Sequence, residues 1–124
     1  MSTSKSAFWV PDRAEIIFVQ YSPHVGAEMP DDHPMLVIST KAFAEKTGVV
    51  VGFPMTQSAQ HADNPFAITA PGARGEIGYV LTHQPKSFDW RQRNARPHSW
   101  GTGHTKLLSV ALKRFDTIFN ICAP

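Results

Sequence analysis

Residues 34–55 read PMLVISTKAFAEKTGVVVGFPM, and this stretch decides the fold. The run Pro34–Thr40 is continuously apolar at its centre, which predicts a strand buried on both faces. The run Val49–Met55 is apolar and β-branched and predicts a second strand. Between them, Lys41–Lys46 predicts one or two helical turns that Gly48 ends, because glycine readily adopts the left-handed conformation found after a helix.

Shorter strands are predicted on both sides of this centre from β-branched and aromatic runs. They are Glu15–Tyr21, Phe66–Thr69, Glu76–Thr82 and Lys86–Trp90, separated by loops over Ser22–Asp32, Gln57–Asn64, Pro71–Gly75 and Asn94–Gly103. A final helix, capped by Thr102 or Thr105, is predicted because apolar residues recur at spacings of three and four. They are Leu108, Ala111, Leu112, Phe115, Ile118 and Phe119. The fold class is therefore mainly β (α+β): a small bent sheet or open barrel with a C-terminal helix.

Composition limits the function classes. With 124 residues, 42% hydrophobic residues and a formal net charge of +2, we expect one globular domain over residues 8–124 after a disordered lead-in at 1–7. A single cysteine, Cys122, allows no disulfide within the chain, and six histidines without metal-ligand spacing predict no metal site and no cofactor. The longest apolar run is far too short to span a membrane, so a soluble, cytoplasmic protein is expected.

The first candidate cluster lies in the loop before Pro34. It places the carboxylate of Glu28 and the imidazole of His33 five residues apart, directly before a buried strand. Loops held at strand ends often carry catalytic groups. A solvated acidic loop is the alternative interpretation of the same pattern.

The second cluster follows the strand that ends at Met55. Thr56, Gln57 and Ser58 offer two hydroxyls and an amide. Such groups hold phosphate oxygens or ribose hydroxyls. Ordinary turn hydrogen bonding by Ser and Thr is the alternative, and the pattern alone favours it.

The third cluster spans His83–Arg96 and combines cations with aromatic residues. Its cations would neutralise phosphates, while Phe88 and Trp90 would stack on unpaired bases. The alternative is a solvated basic edge strand that discourages sheet pairing. The polar and charged candidates are Gln84, Lys86, Ser87, Arg91 and Arg93.

The three clusters and the strands between them follow one another as they do in the MazF/PemK (Kid) toxins of type II toxin–antitoxin systems. The chain resembles this family over residues 9–121. The motifs that carry the resemblance are Val10–Val19, Ser22–Glu28, Met35–Thr40, Lys46–Gly48, Phe53–Ser58, Asn64–Phe66, Gln84–Ser87, Asp89–Arg91 and Arg93–Ala95. The resemblance implies an SH3-like barrel, a homodimer, metal-independent cleavage of single-stranded RNA, and inhibition by a cognate MazE-like antitoxin.

Glu28, Thr56, Gln84, Lys86, Arg91 and Arg93 match the pattern of one or both family branches. Other positions depart from it. His33 stands where the family usually has an arginine, and His83 where it has an acid. Ala27, Met29 and Leu81 replace a histidine, a glutamine and an arginine.

These two histidines suggest a mechanism. Cleavage by a neighbouring 2′-hydroxyl needs a base, an acid and stabilisation of charge on the phosphate. If His33 and His83 face each other, they would divide the acid and base roles, because histidine titrates near neutrality. Glu28 would keep one imidazole charged, Thr56 would donate to a phosphate oxygen, and the cations would position the RNA. A bell-shaped pH profile near neutrality is the expected signature.

Two other functions remain open at this point. Because histidine offers phosphate fewer donors than arginine, the chain would also suit a catalytically weakened RNA-binding relative. The CcdB toxins share this fold and poison gyrase by protein contact, through a C-terminus resembling Trp-Gly-Ile. This chain ends Ile121–Pro124 instead.

Overall fold

A computed structural model describes residues 9–21, 32–72 and 74–120. Within these ranges the chain forms seven strands, two α-helices and one turn of 3-10 helix. The strands are β1 (Ile16–Gln20), β2 (Asp32–Val37), β3 (Val49–Thr56), β4 (Ala67–Pro71), β5 (Ile77–Leu81), β6 (Lys86–Asp89) and β7 (Arg96–Pro97). The helices are α1 (Lys41–Thr47), the 3-10 turn Ala59–His61 and α2 (Thr105–Phe119).

The sheet is antiparallel and centred on β3. Its strand order is β4-β5-β3-β2-β1-β7, and β6 also pairs with β3. One edge of β3 is divided between two strands, because Thr56 pairs with Tyr79 of β5 while Gly52 pairs with Lys86 of β6. The other edge pairs with β2, where Met35 lies opposite Pro54. The two predicted central strands are therefore neighbours, as their burial requires.

The sheet separates two hydrophobic clusters. Successive residues of a strand point to opposite faces, so Phe53 belongs to one cluster and Val50 to the other. Helix α2 covers the first cluster: Leu108 and Ala111 are buried there, and the Phe115 ring lies 5.5 Å from that of Phe53. With both faces covered, the last three residues of β2, Met35–Val37, are fully buried, as predicted.

Helix α1 forms as the sequence predicts. The Thr40 hydroxyl accepts a hydrogen bond from the Phe43 N–H at 3.2 Å, and Gly48 ends the helix with a φ of 76°. The Trp90 indole donates to the Ala44 carbonyl at 3.0 Å. This bond ties the segment after β6 to the helix.

Several boundaries differ from the prediction. Strand β2 begins at Asp32, and the loop predicted over 94–103 contains the two-residue strand β7. The predicted threonine cap of α2 is wrong, because His104 precedes the helix and makes no side-chain capping bond. Phe119 lies at the end of the predicted apolar face, with its ring 5.0 Å from that of Phe115, but it is 63% exposed.

Some predictions fall outside the described residues: the lead-in at 1–7, the loop with Glu28, and Cys122. Over the described ranges no helix has the length and apolarity needed to cross a membrane. In the same ranges no group of three or more His, Cys, Asp or Glu side chains is arranged to hold a metal ion.

Candidate functional site

A cavity of about 370 Å³ lies where β3 ends and where β2 and β5 begin. It collects side chains that are far apart in the sequence. Its lining consists of Phe18, His33, Pro34, Met55, Thr56, Gln57, Glu76, Gly78, His98, Ser99 and Trp100. Three predicted site residues, His33, Thr56 and Gln57, are thereby brought together.

His33 and Thr56 lie on neighbouring strands. Each stands two residues beyond the paired residues Met35 and Pro54, so the register places both on the same face of the sheet. The half-buried His33 ring lies 4.7 Å from that of Tyr21. The sheet thus holds an imidazole beside a hydroxyl at the cavity.

The Thr56 hydroxyl has a defined orientation. Its oxygen accepts a hydrogen bond from the Ser58 N–H at 3.1 Å, which is the turn chemistry that the sequence allowed. A hydroxyl has one proton to donate as well as two lone pairs. Accepting from Ser58 therefore leaves the Thr56 proton available to a ligand oxygen. Gln57 and Ser58 follow at exposed positions.

His98 is a cavity residue that sequence reasoning missed. Its ring lies 4.3 Å from the Phe18 ring and 5.4 Å from the Trp100 ring. The Nδ1 atom accepts a hydrogen bond from the Trp100 N–H at 3.0 Å. Burial lowers the pKa of His98. Both effects favour the neutral ring whose Nε2 carries the proton, so His98 presents a neutral donor.

We expect this histidine to make stability depend on pH. The lowered pKa means that the unfolded chain binds a proton that the folded chain resists. The free energy of unfolding should therefore fall as pH drops below about 6.5, the ordinary histidine value. In His98→Asn, whose Oδ1 stands where Nδ1 accepts the Trp100 N–H, this contribution should disappear. Urea unfolding at pH 5 and pH 8 measures it; equal pH dependence in both proteins contradicts the assignment.

Glu76 is the second cavity residue that the sequence did not single out. Its Oε1 accepts a hydrogen bond from the Arg74 N–H at 2.8 Å. Hydrogen bonds from its own backbone and from that of Arg74 lower the pKa of Glu76. The side chain is therefore an ionised acceptor at neutral pH.

His83 does not reach this cavity, judged by the described residues that line it. It lies exposed in the turn after β5, with its ring 6.0 Å from that of Phe66. The Gln84 amide nitrogen lies 3.1 Å from its Nε2. The imidazole that shares the cavity with His33 is that of His98.

A strip of aromatic rings and cations continues from His33 across the sheet. The rings of Tyr21 and Phe88 lie 5.1 Å apart, and the Arg93 guanidinium lies 5.0 Å from the Phe88 ring centre. Arg93 also donates to the carbonyls of Gln20 and Tyr21. The half-buried Lys86 shares this face, because it lies two residues from Phe88 on β6. We call Tyr21, Phe88, Lys86 and Arg93 the aromatic strip.

Three members of the basic cluster lie elsewhere. Trp90 is 7% exposed and donates to the Ala44 carbonyl, so the prediction that it stacks on bases is wrong. The Arg91 guanidinium lies 4.5 Å from the Trp90 ring centre. This is near the start of β3, about 20 Å from Thr56 at the strand rise of about 3.3 Å per residue. Exposed Ser87 alternates with Phe88 and points to the opposite face.

An arginine lies close to His33 on another strand. The Arg96 guanidinium pairs with the Asp32 carboxylate and lies 5.2 Å from the centre of the Phe18 ring. Hydrogen bonding to Asp32 raises the pKa of Arg96. The carboxylate therefore neutralises the charge of this guanidinium.

Comparison with solved structures identifies the fold class. MazF from Deinococcus radiodurans superposes with a TM-score of 0.74 at 27% identity, over 91% of this chain and 99% of that chain. The D. radiodurans MazE–MazF complex (Form-II) gives a TM-score of 0.77 at 27% identity, over 91% and 98% of the chains. The mainly-β MazF-type fold with its C-terminal helix is thus confirmed.

The sequence comparisons identify the family. Residues 12–119 match the PemK-like, MazF-like toxins of type II toxin–antitoxin systems. The "Endoribonuclease toxin MazF" of Escherichia coli (strain K12) is 33% identical over 87 residues, which is 70% of this chain and 76% of that protein. The chain belongs to the PemK-like, MazF-like toxin family.

Proposed function

We propose that the protein is an endoribonuclease that cleaves single-stranded RNA without a metal ion, by attack of the neighbouring 2′-hydroxyl. One observation carries the proposal: His33 and Thr56 line one cavity of a chain in this family. The similar E. coli protein is named an endoribonuclease toxin. The cavity offers a basic nitrogen and a hydroxyl donor, which this reaction requires.

The proposed step balances as follows. The 2′-oxygen bonds to phosphorus while its proton passes to the His33 imidazole. The bond from phosphorus to the 5′-oxygen breaks, and that oxygen takes a proton from water at the open side of the cavity. The hydroxide so formed takes the proton from His33 and restores the neutral imidazole. Thr56 donates to a non-bridging phosphate oxygen, because its own lone pairs already accept from Ser58. The products are a 2′,3′-cyclic phosphate and a 5′-hydroxyl end.

The RNA on one side of the cleaved bond would follow the aromatic strip. Stacked rings hold bases without sequence preference, and cations hold the backbone. Lys86 and Arg93 supply that charge, while Gln57 and Ser58 contact the phosphate next to Thr56. The exposed His83 and Gln84, and the distant Arg91, would contact flanking nucleotides, whereas Ser87 points away from this face. Glu28 remains a prediction, since it lies outside the described residues.

We further propose that the chain acts in the cytoplasm as a homodimer and binds a MazE-like antitoxin. Support for the partner comes from the D. radiodurans structures of MazE with MazF, to which this chain is similar over most of its length. An antitoxin that competes with RNA would present acidic side chains to Lys86 and Arg93. Light scattering tests the dimer, and a monomer at micromolar concentration would contradict it.

Incubation of the pure protein with a long RNA and a chelator tests the reaction. We expect new ends within single-stranded regions, each with a 5′-hydroxyl, found by ligation that selects for that end. Folded regions of the same RNA serve as the internal control. Intact RNA would contradict the proposal. Intact RNA together with salt-dependent binding would identify an RNA-binding relative instead.

A further inference from the structure

The cavity wall carries an unusual charge for a phosphate site. Among the described residues that line it, Glu76 is the acid, and none is lysine or arginine. An ionised carboxylate repels phosphate and prefers hydrogen-bond donors. The part of the cavity beside Glu76 therefore suits an uncharged ring that carries N–H groups.

The same part of the cavity is shaped for a flat ring. The Trp100 ring lies close to both polar side chains of this part of the cavity, Glu76 and His98. Its centre is 5.4 Å from that of the His98 ring. An atom of Trp100 and Oε1 of Glu76 both lie within 2.5 Å of the point where a Cβ on Gly72 would stand. Only glycine at position 72 allows this approach. Together with Phe18, these rings give this part of the cavity aromatic walls, the kind of surface that stacks on nucleobases.

The hydrogen-bonding groups have a defined order of acceptor and donor. Glu76 is an acceptor, and His98 is a donor through Nε2 because Nδ1 is occupied by the Trp100 N–H. Guanine presents two adjacent donors, N1–H and the N2 amino group, beside the acceptor O6. A carboxylate takes both donors at once, and the imidazole N–H takes O6. Adenine, cytosine and uracil each place an acceptor where guanine has a donor.

We propose that Glu76, His98 and Trp100 form a guanine subsite beside the cleavage site. This inference rests on the proposed function in naming the base that the enzyme selects. The phosphate would lie at the cavity mouth beside Thr56, and one neighbouring base would enter the cavity.

Binding of uncleavable oligonucleotides tests the subsite. The probes are fluorescein-labelled 2′-deoxy heptamers of uracil with guanine, hypoxanthine or uracil at the centre. Hypoxanthine differs from guanine only by the absent amino group. We expect the guanine heptamer to bind about tenfold more tightly than the other two, since only guanine offers the carboxylate two donors at once. In Glu76→Gln the ratio should fall below about threefold.

Glu76→Gln and Glu45→Gln make the same chemical change at two positions, one in the proposed subsite and one outside it. In Glu76→Gln, Oε1 still accepts the Arg74 N–H, and an unchanged unfolding temperature verifies the fold. Glu45→Gln removes an exposed carboxylate on α1 and should keep the tenfold ratio. Equal binding of the three heptamers by the wild type, or an unchanged ratio in Glu76→Gln, overturns the subsite. RNA cleavage with no guanine discrimination rejects the subsite alone. Discrimination without cleavage of long RNA rejects the reaction alone.

Discussion

Replacing His33 with alanine is expected to lower the rate of RNA cleavage by about 10²–10⁴-fold, the usual contribution of general acid–base catalysis. The change removes the imidazole that we place beside Thr56, and it leaves the buried residues of β2 untouched. The measurement is the initial rate on a labelled single-stranded RNA with chelator present. His61→Ala, in the 3-10 turn, is the matched control and should keep the wild-type rate.

His33→Arg separates a base from a simple cation. Arginine restores the residue that the family pattern has here, but it stays protonated and cannot accept a proton. If His33 is the base in this chain, His33→Arg should be nearly as slow as His33→Ala. A rate equal to or above that of the wild type would show that position 33 supplies charge. The roles that we assign to His33 would then be wrong.

Replacing Phe53 with alanine is expected to lower the free energy of unfolding by about 3–5 kcal/mol. Phe53 is fully buried and packs against Phe115 of α2, so its loss leaves a cavity between sheet and helix. A change of this size should lower the midpoint of thermal unfolding by about 10 °C or more. Circular dichroism measures it.

Phe43→Ala is the matched control for this prediction. The same side chain is lost from α1, where Phe43 is 40% exposed. We expect a loss below about 1 kcal/mol, because partly exposed side chains contribute less burial. Comparable losses in the two variants would contradict the two-sided packing of β3.

The sequence predicts the parts of this fold that depend on local pattern. Val49–Met55 and the helix ended by Gly48 are recognisable because β-branched runs and a glycine stop act over a few residues. Strand β7 has no such pattern: Arg96 and Pro97 are not typical strand residues, yet they pair with Phe18 and Ile17 of β1. The predicted cap of α2 was also wrong: Thr102 and Thr105 are suitable cap residues in sequence, but the helix begins directly after His104.

The site was predictable only where the sequence signals a strand end. His33 and Thr56 flank buried runs, so their position was visible. His98 lies in the loop directly after β7, and Glu76 directly precedes β5. Only the folded sheet brings these two residues together. The prediction that Trp90 stacks on bases was wrong because it relied on neighbours in sequence, which include arginines. In the folded chain the Trp90 indole instead donates to the Ala44 carbonyl.

The two hydrophobic clusters on opposite faces of β3 also constrain the evolution of this toxin. A strand with both faces committed has almost no position where drift is neutral, so its interior changes slowly. Glu76 and His98 belong to neither cluster and lie next to β5 and β7, whereas Trp100 packs against the first cluster. Exchange of Glu76 or His98 would therefore change the base that the proposed subsite selects, while the two clusters stay the same.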